Sequence, residues 1–166
     1  MNPVEINIDN LKLTSLSSED NSLKNIGYDK EDLDQMSETR SYPSKMPEKI
    51  SFKIEKGSEI IGEVTFSRLR WFNRKSELSL ILKKKHQGKG YAKNILKTII
   101  SFAFNRMNLH RLEAEVIETN SRSHKIIKDL GFVYEGELRE AKYQNGKYVS
   151  VLRYGLLKNE FAKTNT

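Results

Sequence analysis

The stretch ELSLILKKKHQGKGYA, residues 77–92, decides the fold. Leu78, Leu80 and Leu82 alternate with Glu77, Ser79 and Ile81, the pattern of a strand with one apolar face. A basic run, Lys83-Lys84-Lys85, follows, and then Gly88 and Gly90. Beyond them the apolar period changes from 2 to 3.6: Ala92, Ile95, Leu96, Ile99, Ile100, Ala103, Phe104 and Met107 share one helical face. A helix over about 90–106 is therefore expected. Its first backbone N–H groups have no partner within the helix and stand at the positive end of its dipole. Glycines let an anion approach that backbone with no Cβ in the way. Gln87, Gly88, Lys89, Gly90, Tyr91 and Ala92 thus read as a pyrophosphate cradle, with Lys89 adding charge; a Gly-rich turn that binds nothing is the plainer alternative. Position 93 is Lys, so the dinucleotide signature G-x-G-x-x-G is absent, and so is the P-loop pattern.

Outward from this segment, period-2 patterns dominate. Ile50, Phe52 and Ile54 alternate, Lys56-Gly57 reads as a turn, and 60–69 alternates again, which predicts a hairpin. Residues 71–74 connect it to the strand of Leu78. Leu112, Ala114 and Val116 predict another strand, and 121–129 a short helix stopped by Gly131. Strands over 133–139 and 148–157 flank Asn145-Gly146, the favoured two-residue hairpin turn. Near the N-terminus 11–16 reads as a short strand. The acidic stretch 20–41 reads as one or two short helices, and Pro43 and Pro47 bracket a loop. The order of elements predicts an α/β (α+β) domain on a mixed sheet.

The 166 residues amount to one domain. There is no Cys, which excludes disulfides, thiolate metal sites and a Cys nucleophile. No apolar run approaches the roughly 20 residues that span a bilayer. Residues 1–10 lack the basic-then-apolar layout of a secretion signal, so a cytoplasmic protein without membrane association is expected. The net charge of +7 is uneven: residues 1–50 carry 6 Lys and Arg against 10 Asp and Glu, and the remainder 23 against 12. A basic body suits anionic partners and an acidic first third suits cations, although a solvated Lys-rich surface would give the same count. The polybasic run has no interleaved aromatics, which disfavours nucleic acid. His86, His110 and His124 lack metal-ligand spacing, so no metal is expected. His86 is expected to be exposed, and the other two structural or cofactor-adjacent.

Gln87-x-x-Gly90-x-Ala92 resembles motif A of the GNAT acyltransferase superfamily, [QR]-x-x-G-x-[GA]. Glu77 precedes Gln87 by ten positions, as in the RimJ/RimL-type branch, the ribosomal-protein N-terminal acetyltransferases. Residues 109–114, LHRLEA, resemble that branch's fifth strand. Asn120-Ser121-Arg122-Ser123 matches its N-x-x-S, Leu130-Gly131-Phe132 its L-G-F, and 135–140 with Asn145-Gly146 its closing hairpin. The resemblance covers about 60–161. It implies a single domain over 1–166 (core about 11–161) with a mixed sheet of about seven strands and about four helices. Acceptor-side helices would lie at about 17–48 and an acetyl-CoA-binding core at about 76–132.

The resemblance further implies acetyl transfer from acetyl-CoA to a primary amine by direct attack. The backbone of Leu80, Ile81 and Leu82 would hold the pantetheine arm, 87–92 the diphosphate, and Asn120 and Ser123 the arm from the neighbouring strand end. The branch suggests a protein N-terminal α-amine as acceptor; polyamines, amino sugars and antibiotics remain open, as do monomer and homodimer. An α-amine has a pKa of about 7.7–8.0 and a Lys side chain about 10.4, a difference of about 3.4 kcal/mol in deprotonation cost at neutral pH. Glu77 is the candidate base, through a water; its plainer role is a salt bridge on the strand's polar face. Many members of the superfamily place a Tyr acid four residues before the Gly of the G-F pair, where this chain has Ile127. Ser123 is the candidate in its stead, Tyr134 the next, although Ser123 could equally be a first-turn helix residue. Trp71 and Phe72 are candidates for the acceptor pocket wall, or for core anchoring. A catalytically idle module of the same fold, or a basic nucleic-acid binder, is the alternative of another class.

Overall fold

The computed structural model describes residues 4–15 and 46–164. The helices expected at about 17–48 fall almost wholly outside the described residues. Among the described residues eight strands form one sheet, in the order β1-β2-β3-β4-β5-β6-β8-β7. They are β1 (Glu5–Ile8), β2 (Leu11–Ser15), β3 (Ile50–Lys56), β4 (Glu59–Arg70), β5 (Lys75–Leu82), β6 (Arg111–Ile117), β7 (Val133–Gln144) and β8 (Lys147–Leu157). Among the described residues three α-helices accompany them: α1 (Tyr91–Asn105), α2 (Ser121–Asp129) and α3 (Lys158–Thr164). The sheet is antiparallel except between β5 and β6, which run parallel and are joined through α1.

The core lies between α1 and one face of the sheet. Ile95, Leu96, Ile99, Ile100, Ala103 and Phe104 of α1 are buried, as the 3.6 period requires. They meet Phe52, Ile54, Val64, Phe66, Leu78, Leu112 and Leu156. Phe52 packs edge-on against Phe66 and Phe102, with ring centres 6.3 and 5.8 Å apart.

Local chemistry sets the turns. Asn120 caps α2, its side-chain oxygen accepting from the Ser123 N–H at 3.1 Å. At the other end Gly131, at φ +88°, closes a Schellman motif: the Phe132 N–H reaches Ile127 O and the Gly131 N–H reaches Lys128 O. Asn145 and Gly146 both have positive φ, as a type I′ turn requires, and Gln144 pairs with Lys147 across it.

Three features exceed the sequence expectation. β1 adds an eighth strand, an edge strand with Ile8 as its one buried residue. β7 continues to Gln144 rather than stopping near 139; as the other edge strand it is exposed almost throughout, so it lacks the alternation that marks a half-buried strand. α3 is too short to show a period; the Glu160 carboxylate accepts from the Leu157 N–H, and Phe161 packs on Phe104 at 5.5 Å.

Between β5 and β6 the ladder holds for three pairs, Lys75↔Arg111, Ser76↔Leu112 and Glu77↔Glu113, and then stops. β5 stays paired to β4 as far as Leu82, and β6 to β8 as far as Ile117. The sheet forks at Glu77. Beside one prong, β4 approaches so closely at Gly62 that an added Cβ would lie 2.2 Å from Ile81 O and 2.8 Å from a Leu82 methyl. Gly62→Ala is therefore expected to cost about 1–3 kcal/mol as overpacking. Calorimetry should show a Tm lower by several degrees, at roughly 2–4 °C per kcal/mol for a chain of this size.

Candidate active site

The fork gathers the residues that the sequence singled out. β5 and β6 are the parallel pair, and a helix begins beyond the carboxyl end of each, where open sheets bind ligands. On the β5 side Leu82 leads through Lys83 and a 3-10 turn (Lys84–His86) into Gln87, Gly88, Lys89 and Gly90. Gly90 is the N-cap of α1 at φ +82°, with no side chain capping the helix and no acid in its first turn. A Cβ on Gly88 or Gly90 would meet nothing within 4 Å. The first turn of α1 thus carries N–H groups that no side chain caps, beside lysines, the chemistry of an anion site. On the β6 side, Asn120 and Ser123 begin α2. Lys93 of α1 pairs with Asp129 of α2 at 3.0 Å, tying the two helices together.

The side chains of the loop are turned back onto the protein. The Gln87 amide donates to Leu82 O at 2.9 Å, and Tyr91 OH accepts from Lys56 Nζ at 2.9 Å, which lowers the Tyr91 pKa. His86 is buried rather than exposed: the 3-10 turn folds it inward, with Nε2 3.4 Å from the Glu59 carboxylate. His110 is exposed. His124 is structural: Nε2 stands 3.0 Å from Ile117 O and Nδ1 2.9 Å from Tyr154 OH. A carbonyl only accepts, so Nε2 carries the proton and Nδ1 accepts from Tyr154.

Glu77 stands at the point of the fork, its side chain 17% exposed. Burial pushes its carboxyl pKa up; Arg68 and Arg153 oppose that, and Glu115 and Glu113 reinforce it. Arg68 Nη1 lies 3.0 Å from Glu77 Oε2, and nothing in the sequence reading singled Arg68 out. Along β5, Leu80 is half-buried, Leu82 buried and Ile81 65% exposed on the same face as Glu77. The rest of that face is a charged lattice. Arg111 forks onto Glu135 and reaches Glu113 at 2.9 Å, and Arg153 reaches Glu115 at 3.5 Å. Gly155 lies beneath the Arg111–Glu135 pair, where a Cβ would be 2.3 Å from the carboxylate.

Trp71 and Phe72 lie at the opposite end of β5 from Leu82. Trp71 packs against the core and donates to Pro47 O at 2.9 Å; Phe72 is 56% exposed. Ile127 is buried in the core. Tyr134 is half-exposed and stacks edge-on against Tyr154 at 5.7 Å. Among the described residues no group of three His, Asp or Glu could hold a metal, and no helix is long and apolar enough to cross a membrane.

A family model described as the acetyltransferase (GNAT) domain matches residues 13–133. An uncharacterized N-acetyltransferase p20 of Bacillus licheniformis is 32% identical over 69% of this chain and 64% of its own. The spermidine N(1)-acetyltransferase of Vibrio cholerae is 30% identical over 61% and 59%. The ribosomal-protein-serine acetyltransferase of Escherichia coli is 30% identical over 62% and 58%. The chain thus spans about three fifths of the length of the curated relatives it matches. A crystal structure of the Vibrio cholerae spermidine N-acetyltransferase in complex with CoA and spermine superposes with a TM-score of 0.66, at 28% identity and 69% of each chain.

The cap geometry makes its own prediction. Asn120→Ala is expected to cost about 1 kcal/mol through loss of the cap, read as a Tm lower by about 2–4 °C. Asn120→Asp should retain most of that stability.

Proposed function

We propose, from the premise that the chain belongs to the GNAT acetyltransferase family, that it transfers the acetyl group of acetyl-CoA to a primary amine by direct attack. The observation that carries this reading is the fork: the β5–β6 ladder ends at Glu77, and β5 runs on alone on that side to Leu82 and a glycine turn into an uncapped helix. Acetyl-CoA supplies an activated thioester. The unpaired edge of β5 around Leu80, Ile81 and Leu82 would hold its arm, and the turn over 87–92 its diphosphate through the N–H groups that follow Gln87, whose own N–H is given to Lys84 O, with Lys89 adding charge. Asn120 and Ser123 would contact the arm from the β6 side. The Leu82 carbonyl is engaged by Gln87, which leaves the arm to the residues before it.

Glu77 is the base in this reading. Its carboxylate is half-buried with a raised pKa, a stronger proton acceptor than a solvated glutamate. It takes the amine's proton through a water as the nitrogen attacks. Ser123 is the candidate acid for the departing sulfur, since the buried Ile127 cannot donate. Trp71 and Phe72 would wall the acceptor side.

A protein N-terminal α-amine is the acceptor proposed first, because its lower pKa suits a single carboxylate base and a relative acts on a ribosomal protein serine. A polyamine or other small amine is the second reading, favoured by the acidic balance of residues 1–50 and by the spermidine acetyltransferase among the relatives. Acetyl transfer to a panel of serine-initiated peptides and polyamines decides between them; steeply salt-dependent binding of DNA or RNA without transfer would favour the nucleic-acid reading instead.

Two outcomes test the site. Acetyl-CoA at 100 times its dissociation constant should add about 2.7 kcal/mol of stability, visible as a Tm rise of roughly 5–10 °C. Gly90→Val should abolish the rise, because a branched side chain would fill the diphosphate's place; a retained shift would count against the cradle. Glu77→Gln should lower turnover far more than acetyl-CoA affinity, with the loss shrinking as pH rises. The acidic limb of the parent's pH–rate profile should lie above the ordinary glutamate range, and an unchanged profile in the variant would remove Glu77 from the base role.

A further inference from the structure

Arg68 stands where an unbroken pleat would not put it. Ser67 pairs with Glu77 and Arg70 with Lys75, so Arg68 and Leu69 together oppose Ser76 alone. Without this bulge the residue after Ser67 would turn to the core face. The extra residue gives the core position to Leu69, which is fully buried, and keeps Arg68 on the face of Glu77. Arg68 holds φ +50°, a left-handed conformation that a side-chain-bearing residue adopts at a cost. Bulges re-aim side chains, and this one aims a guanidinium at the point of the fork. Nη1 lies 3.0 Å from Glu77 Oε2 and 3.9 Å from Glu115 Oε1. The Arg68 side chain is 62% exposed, and the buried Oε2 receives no aligned hydrogen bond among the described residues. The contact is therefore an ion pair made from the solvent side and open to exchange.

We propose that Arg68 is a specificity-determining residue that occupies, in the free protein, the position beside Glu77 taken by the acceptor's protonated amine. The inference rests on the reading of Glu77 as the base. A half-buried carboxylate needs a compensating cation. A guanidinium supplies one without surrendering a proton. Exchange for an ammonium is charge for charge, whereas a neutral or anionic molecule in the same place would strand the carboxylate. After exchange the nitrogen beside Glu77 is one that can give up its proton. The other charged groups about Glu77 are engaged among themselves: Arg153 with Glu115 at 3.5 Å, and Lys75 with Glu113 at 3.7 Å.

The test compares Arg68→Asn, which tolerates the left-handed backbone, with Arg68→Lys, which keeps a cation. Spermidine and a serine-initiated peptide serve as amine probes. In the Asn variant KM for the probe that is turned over should fall by about two- to fivefold, the range of an exposed ion pair. KM for acetyl-CoA should not change. The acidic limb of kcat/KM should move to higher pH, because the carboxylate has lost its cation, and Lys should restore both values. An unchanged or higher amine KM in the Asn variant, with the acidic limb in place, would overturn the proposal. Independently of turnover, carbon-13 titration of the Glu77 carboxyl should show a higher pKa in the Asn variant; an identical titration would overturn it as well. Full activity of Glu77→Gln would instead sink the base reading, a result distinguishable from either.

Discussion

A parallel pair of strands in this sheet cannot stay paired along its length, and the rest of the site depends on that. β5 and β6 share three residue pairs, then separate, each held by its antiparallel neighbour. A parallel pair is the weaker ladder, so it is where a mixed sheet opens most readily. The split leaves one edge of β5 with backbone groups that no described strand meets. An unmet peptide edge inside a fold is costly, and a ligand carrying its own amides removes that cost while it is bound. On the face that α1 covers, Leu78 and Leu112 lie in the core.

The opposite face is electrostatic. Glu77, Glu113, Glu115 and Glu135 interleave with Arg68, Arg111 and Arg153 across β4, β5, β6, β8 and β7. Gly155 makes one of these links possible: with no Cβ on β8, Arg111 of β6 passes over it to Glu135 of β7. Burial and the neighbouring carboxylates push the Glu77 pKa up, the arginines pull it down, and burial prevails. The Glu77 carboxylate is thus held by the same lattice that joins five strands.

Much of this was legible in the sequence, for identifiable reasons. The change of period at residues 88–92 located the β5–α1 junction within a residue or two, because buried α1 positions repeat at 3.6 and β5 positions at 2. Asn145-Gly146 and Gly131 were legible because few residues adopt positive φ. Edge strands were not: β1 and the end of β7 bury too little to alternate. His86, expected to be exposed, is turned inward by a single 3-10 turn, which leaves no periodic signal in the sequence. Arg68 was invisible because a bulge breaks the parity on which face assignment rests. The one trace is in the spacing of buried residues, with Val64 and Phe66 in phase and Leu69 out of phase.

The basic loop before α1 is fastened to the protein through both its backbone and its side chains. Its first half is fixed by backbone bonds, from the Lys83 N–H to Ile61 O at 2.8 Å, the His86 N–H to Lys83 O at 2.8 Å and the Gln87 N–H to Lys84 O at 3.2 Å, and side chains add the rest. Glu59, on the β3–β4 hairpin, takes Lys85 at 2.6 Å and draws Lys83 and His86 toward the same carboxylate, which lowers its pKa. Gln87 fastens the turn to Leu82 O, and Lys56 holds Tyr91 from β3. These ties spend the polar ends of the side chains on the protein and leave open space beside Gly88 and Gly90. A loop tied in this way has fewer side chains left to order when a ligand binds, which is how preorganised sites limit the entropy lost on binding.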